Sequence, residues 1–273
     1  MDFLSSIFDF DFLLYALIAG ILSSIACGIT GTFVVKKKIT FVSGGIAHGV
    51  LGGVGLFYFL GLNTQIGAVV ASLIFALILT ISKFKYKGNE DTLVASIWSA
   101  GMSLGIIFMF ITPGYNVDLL SFIFGNILMV DQESILMLLA FDIIIIGLVF
   151  SLYKYLKYVS WDEEYLEVRG FNVPLIYFTL LVLVSLTVVI LLNIVGLILI
   201  IALLTLPSAI ASLFFKRFSY IMVGSVVIGT IITTIGVFIS FEKDLPSGAT
   251  IVLFAATTYI LSVLFKGLKS KFN

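Results

Sequence analysis

The sequence predicts an all-α bundle of about nine membrane-spanning helices, and its composition and its long apolar runs are the reasons. Of the 273 residues, 61% are hydrophobic and 11% are charged, with a mean hydropathy of +1.24. A single soluble core of this length cannot hide so much apolar surface. Because an apolar stretch of about 20 residues crosses the hydrocarbon layer as a helix, a multi-pass membrane protein embedded in a lipid bilayer is predicted.

Apolar runs between charged or turn-rich breaks locate the spans. The seventh run begins almost directly after the sixth, so eight spans is the alternative count. A run at 119–130 is too short to cross and is predicted to be a re-entrant or interfacial helix. The spans lie near residues 12–35, 39–60, 65–82, 93–112, 134–153, 174–192, 195–214, 219–241 and 248–265.

The basic residues predict the orientation of the spans. With the N-terminus outside, 14 of the 15 lysines and arginines fall in cytoplasmic segments, and only Lys243 falls outside. Cytoplasmic loops carry an excess of positive charge. The N-terminus is therefore predicted outside and the C-terminus inside, with residues 1–273 forming a single transmembrane domain.

Small residues mark the second and fourth spans as core helices. Close packing drives helix association in lipid, and glycine lets two backbones approach each other. In the second span we expect the helix-packing residues to be Gly44, Gly45, Gly49 and Gly52.

His48 is the only histidine of the chain and falls in the second span. It lies roughly 15 Å along a helix from the lysine triplet at 36–38, which is near the bilayer midplane. Its helical face is shared with glycines, so the imidazole would project beside a glycine groove. Ionisable groups at this depth usually face a bundle interior or a substrate path. A metal-contacting role and a buried, hydrogen-bonded packing role are both open.

Asp142 is a second charged residue at membrane depth, within the fifth span. Carboxylate and imidazole groups are suitable ligands for zinc, manganese or iron. Asp142 is therefore a candidate metal ligand beside His48. The alternative is a protonated or hydroxyl-paired aspartate that stabilises helix packing.

A short surface helix is predicted near 160–173, between the fifth and sixth spans. Ser160 or Asp162 can cap its N-terminus, Glu163 and Glu164 suit the dipole of its first turn, and Gly170 can end it. A helix delimited in this way is typical of a docking element for a cytoplasmic partner. An ordinary amphipathic connector is the alternative.

Several function classes are excluded by the composition. One cysteine, Cys27, rules out a disulfide framework, and a formal net charge of +0 argues against nucleic-acid binding. The sequence has no nucleophile elbow, phosphate-binding loop or HExxH motif, so it predicts neither an enzyme nor a self-powered ATPase. No permanently bound cofactor is expected.

Six ordered segments resemble the permease subunit of zinc, manganese and iron ABC importers, the ABC-3 family. The segments are 31–38, 46–48, 118–128, 162–170, 195–211 and 245–253. The resemblance implies a type II ABC importer fold in the plasma membrane of a prokaryote. It also implies a homodimer of permeases, a cytoplasmic ATP-binding subunit and an extracytoplasmic metal-binding protein.

The resemblance also implies roles for particular residues. His48 aligns with a family histidine on the metal path, and the predicted helix with Asp162, Glu163, Glu164 and Gly170 becomes the coupling helix to the ATPase. Many members carry an aspartate four residues before the histidine, where this chain has Gly44. The expected cargo is a divalent transition metal. A permease for a metal chelate or cobalamin-type cargo, or a stand-alone secondary transporter, is the alternative.

Overall fold

The computed structural model describes residues 11–86, 89–113, 125 and 127–272. Nine helical stretches within these residues are long and apolar enough to cross a membrane, which confirms the predicted all-α fold and the count of nine. The helices are α1 Asp11–Lys37, α2 Thr40–Gly49, α3 Leu51–Phe59, α4 Thr64–Ile81, α5 Glu90–Ile111, α6 Gln132–Trp161, α7 Glu163–Val168, α8 Val173–Val195, α9 Leu197–Phe214, α10 Phe218–Lys243 and α11 Ser247–Phe272.

The second predicted span consists of two helices, α2 and α3, joined at Val50. Val50 keeps right-handed helical angles, with φ −55° and ψ −26°. Its backbone N–H donates to the Ile46 carbonyl at 3.0 Å, and its carbonyl accepts from the Val54 N–H at 3.1 Å. The chain therefore continues in one direction, and Thr40–Phe59 serves as one span.

A single glycine separates the sixth and seventh spans. Gly196 has φ 78° and ψ 159°, a backbone region that essentially only glycine adopts. The chain consequently ends α8 and starts α9 within one residue. The sixth and seventh spans are therefore separate helices, and the alternative total of eight spans does not apply. Gly125, with φ 60°, lies against the backbone of Val195 and Gly196.

The predicted helix at 119–130 falls mostly on residues 119–124 and 126, which lie outside the described residues. The part that is described contains a 3₁₀ turn, Ile127–Met129.

The contacts divide the chain into two compact units. The first draws on the described parts of residues 1–35, 120–151 and 191–273, and the second on those of 36–119 and 152–190. The single domain over 1–273 stays a prediction.

The first unit contains α1, α9, α10 and α11, which pack through small and hydroxyl residues. Gly31 lies against the Leu204 backbone, and a Cβ there would also come within 2.9 Å of Ser208 Oγ. Ser24 and Thr233 pair their hydroxyls at 3.3 Å, and so do Thr32 and Ser225. Because such groups have no water to bind in the hydrocarbon layer, these pairs link α1 to α10.

The second unit is built on the glycine-rich helix α3, which packs against α4 and α5. Gly52 faces Gly101 of α5, one turn further along Gly55 faces Gly105, and Gly53 faces Gly67 of α4. A Cβ at Gly55 would lie 2.5 Å from the Gly105 carbonyl oxygen. Since side chains are absent from both sides, the two backbones touch directly.

Candidate functional site

His48 lies in the last turn of α2, and its ring stacks on Trp98 of α5. The ring centroids are 4.2 Å apart and the planes differ by 6°. The Trp98 indole N–H donates to the Met102 sulfur at 3.0 Å. Because Met102 holds the indole and the indole covers one face of the imidazole, the rotation of His48 is restricted.

The imidazole keeps one nitrogen without a partner. His48 is half-buried, and its Nδ1 atom is buried with no hydrogen-bond partner among the described residues. A buried ring nitrogen usually has a partner, and an unpaired one can accept a proton or coordinate a cation. This nitrogen is therefore unpaired among the described residues, and an ion or a water molecule would reach it once the neighbouring side chains move apart.

The predicted packing glycines surround His48 at close contacts with α5 and α4. Gly44 is buried, and a Cβ at Gly45 would collide with the Val94 side chain. At Gly49 a Cβ would lie 2.8 Å from Phe75, and at Gly52 it would lie 3.0 Å from the Gly101 carbonyl. Helices α4 and α5 thus cover the face of α2 and α3 where the sequence predicts a glycine groove.

Asp142 lies on α6 in the first unit. It is 3% exposed, and its Oδ2 atom has no hydrogen-bond partner among the described residues. Cys27 of α1 is fully buried and lies within range of electrostatic interaction with Asp142. A buried carboxyl with one unpaired oxygen can hold a proton or contact a cation.

No three His, Cys, Asp or Glu side chains among residues 11–86, 89–113, 125 and 127–272 are grouped as a metal cage would require. Asp142 belongs to the first unit and His48 to the second.

The short helix α7 uses Asp162 as its cap. The Asp162 carboxylate accepts from the Tyr165 backbone N–H at 3.1 Å, whereas the Ser160 hydroxyl donates to the Leu156 carbonyl in the preceding helix. Gly170 follows the helix with φ 77°, where a side chain would be strained. Glu164 points into solvent, and Val168 is 89% exposed.

Glu163 is the one acid of this segment that pairs with membrane-helix ends. Its Oε1 lies 2.6 Å from Lys37 Nζ and 3.0 Å from Lys83 Nζ. Burial alone would raise the pKa of the Glu163 carboxyl. The two lysines outweigh that effect and hold the pKa below its ordinary value.

Two more residues extend this pairing. The Lys83 ammonium lies 4.0 Å from the centroid of the Tyr177 ring, a cation–π contact. The Tyr177 hydroxyl donates to Glu90 Oε1 at 2.8 Å. The positive charges of two lysines and the negative charges of two glutamates therefore cancel within one group of contacts that includes Tyr177. We call Lys37, Lys83, Glu90, Glu163 and Tyr177 the Glu163 cluster.

Sequence reasoning missed Trp98 and four members of the Glu163 cluster. The sequence could have identified Trp98, because its large indole lies among the alanine, serine and glycine residues of the fourth span. The lysines served only to orient the chain, and their partner could not be read from spacing because Lys83 and Glu163 are 80 residues apart.

Comparison with known proteins adds information on ancestry. The sequence model of the ABC 3 transport family matches residues 9–266. An uncharacterised membrane protein of Synechocystis is 38% identical over 258 residues, covering 94% of this chain and 92% of that protein. The manganese transport system membrane protein MntC of Listeria monocytogenes is 32% identical over 265 residues, covering 97% and 94%.

A solved structure has the same fold. PsaBC from Streptococcus pneumoniae in complex with Fab contains a chain that superposes with a TM-score of 0.85 at 32% identity. The match covers 96% of this chain and 94% of that one.

Proposed function

The chain belongs to the ABC 3 transport family, and from this premise we propose that it carries a divalent transition metal ion through an ATP-driven importer. The match extends over nine membrane-spanning helices, so the chain is the membrane permease subunit and resides in the plasma membrane. It is not itself an enzyme, and ATP hydrolysis belongs to a separate cytoplasmic subunit. The other proposed partners are an extracytoplasmic metal-binding protein and a second copy of this chain.

The observation that carries the proposal is the unpaired Nδ1 of His48, buried at the end of α2. An imidazole nitrogen is a suitable ligand for zinc, manganese and iron. Relatives such as MntC are manganese transport proteins, so manganese is the first metal to test. Asp142 is a second candidate contact for the metal, because its Oδ2 atom is buried without a hydrogen-bond partner among the described residues.

A weak site at His48 suits passage rather than storage. Many members of the family pair this histidine with an aspartate, and Gly44 stands at that position here. One imidazole completed by water and carbonyl oxygens releases its ion readily, as a transport path requires. We therefore place metal selectivity largely in the binding protein. Tight binding of a single metal by the purified permease alone would contradict this view.

The lysine-rich helix ends are proposed to face the cytoplasm, with α7 as the coupling helix. Two observations support this orientation. Lysines and arginines gather at one side of the predicted spans. In addition, Lys37 at the end of α1 and Lys83 after α4 both pair with Glu163 of α7, so these three segments meet at one end of the second unit.

The test uses the permease reconstituted in vesicles with its ATP-binding subunit and its binding protein. Uptake of manganese, zinc, ferrous iron and a ferric chelate is measured with and without ATP. We expect ATP-dependent uptake of a free metal ion. Uptake driven by an ion gradient without ATP would indicate a secondary transporter, and uptake of the chelate alone would indicate the alternative cargo.

Two substitutions separate a metal ligand from a packing residue at His48. His48→Phe keeps a ring to stack on Trp98 but removes both nitrogens, and His48→Ala removes the ring as well. If His48 contacts the metal, both variants lose uptake although the complex assembles. If the ring only packs, His48→Phe retains uptake close to that of the unaltered protein.

A further inference from the structure

The helix α7 depends on a few contacts for its position. An isolated helix of six residues is not stable in water, so its neighbours must hold it. Leu166 is buried beneath it, and Glu163 joins its first turn to Lys37 and Lys83. Glu164, Glu167 and Val168 stay exposed and available to a partner. Movement of the exposed face is therefore transmitted in part through Leu166 and Glu163.

The Glu163 cluster contacts the ends of the helices that pack around His48. Lys83 belongs to the π-helical turn that continues α4, and Glu90 is the first residue of α5. At their other contacts, α4 meets α3 through Gly67 and Gly53, and α5 meets α2 through Trp98 and His48. All of these contacts lie within the second unit. The cluster thus connects α7 to α5, which carries Trp98, and to α4, which packs against α3.

The ion pairs of the Glu163 cluster are suited to switching between two arrangements. Its four charges balance, and they are only partly open to water, with side-chain exposures of 13% for Lys37, 20% for Lys83 and 27% for Glu163. In such surroundings a charge that loses its partner is destabilised, so movement of α7 favours an exchange of ion pairs over their simple loss. A close-packed unit then moves between discrete arrangements rather than deforming gradually.

We propose that Glu163 is a positioning residue that transmits movement of α7 to helices α4 and α5 and so couples ATP hydrolysis to passage of the metal at His48. The proposal rests on the transport function given above. Glu163 touches neither the metal nor the nucleotide. It acts through Lys37 and Lys83, whereas the neighbouring Glu164 offers its charge to solvent.

The test compares Glu163→Gln with Glu242→Gln in the reconstituted complex. Each change removes one carboxylate and keeps the length of the side chain, but Glu242 is an exposed residue of α10 outside the coupling helix. Both the ATP hydrolysed and the metal taken up are measured, together with the KM for metal. For Glu163→Gln we expect ATP hydrolysis to persist, the KM to stay unchanged, and uptake per ATP to fall about tenfold, within the range of typical coupling energies. Glu242→Gln should keep the original ratio.

A second variant covers the case in which Glu163→Gln fails to assemble. Lys83→Gln leaves the ion pair between Lys37 and Glu163 intact and should still lower uptake per ATP. An unchanged ratio in the assembled Glu163→Gln complex, or in Lys83→Gln if only that variant assembles, would overturn the proposal. Failure of the unaltered complex to import any metal would instead overturn the transport function itself.

Discussion

At the scale of single residues, the stacking of His48 on Trp98 gives the proposed metal contact a testable neighbour. The imidazole is covered on one face at 4.2 Å, and the indole is held in turn by Met102. Groups that orient a metal-binding histidine commonly affect metal affinity or activity by 10 to 100 fold when altered. We therefore expect Trp98 to affect transport without offering a ligand atom of its own.

Trp98→Leu is predicted to weaken metal handling because the imidazole gains rotational freedom. We expect the KM for metal uptake to rise about tenfold, the lower end of the range for orienting groups. Phe110→Leu is the matched control, because Phe110 lies on the same helix and is 79% exposed. The KM is measured in reconstituted vesicles. An equal KM in the two variants would show that Trp98 does not orient His48.

At the scale of elements, helices α3 and α5 meet through glycine rather than through large side chains. Helices α3 and α5 touch at Gly52 with Gly101 and at Gly55 with Gly105. In lipid there is little hydrophobic gain when two helices associate, so their stability comes from close van der Waals packing. A single added methyl group at such a contact separates the helices along their length.

Gly55→Ala is predicted to destabilise the fold by about 1–3 kcal/mol, the usual effect of overpacking. The new Cβ would lie 2.5 Å from a carbonyl oxygen of α5, which cannot move without shifting the helix. Thermal unfolding in detergent measures the change. Gly147→Ala on α6 is the control, since a Cβ there meets nothing within 4 Å. Equal midpoints for the two variants would contradict the close contact between α3 and α5.

At the scale of the whole molecule, the charge distribution predicts the orientation in the membrane. Lysine and arginine are retained on the cytoplasmic side, and 14 of 15 fall there if the N-terminus is outside. The orientation decides which partner meets α7. An ATP-binding subunit reaches α7 only from the cytoplasm.

Cysteine labelling tests this orientation, because the single natural cysteine, Cys27, is fully buried. Glu164→Cys places a thiol on the exposed side of α7, and Leu245→Cys places one between α10 and α11. In intact cells a membrane-impermeant maleimide should label Leu245→Cys alone, and Glu164→Cys should react only after the cells are opened. The unaltered protein measures background reaction at Cys27. The reverse pattern would place the N-terminus inside.

Local sequence properties determined the number and position of the spans. The length of an apolar run decides whether a helix can cross the bilayer, and cap residues such as Asp162 and Gly170 act within a few positions of themselves. The sequence pattern likewise singled out His48 and the segment that contains α7, and the family resemblance implied a role for each. These predictions needed no knowledge of which helix lies beside which.

Only the tertiary structure decided how the candidate residues are paired. Trp98 covers His48, and Glu163 joins Lys37 to Lys83, because helices distant in the chain turn particular faces toward one another. Periodicity gives the faces of one helix but not the rotation of its neighbour, which is set by the fit of many small contacts. The sequence therefore determined that His48 and Glu163 were present in a nine-span permease, and packing determined what each of them touches.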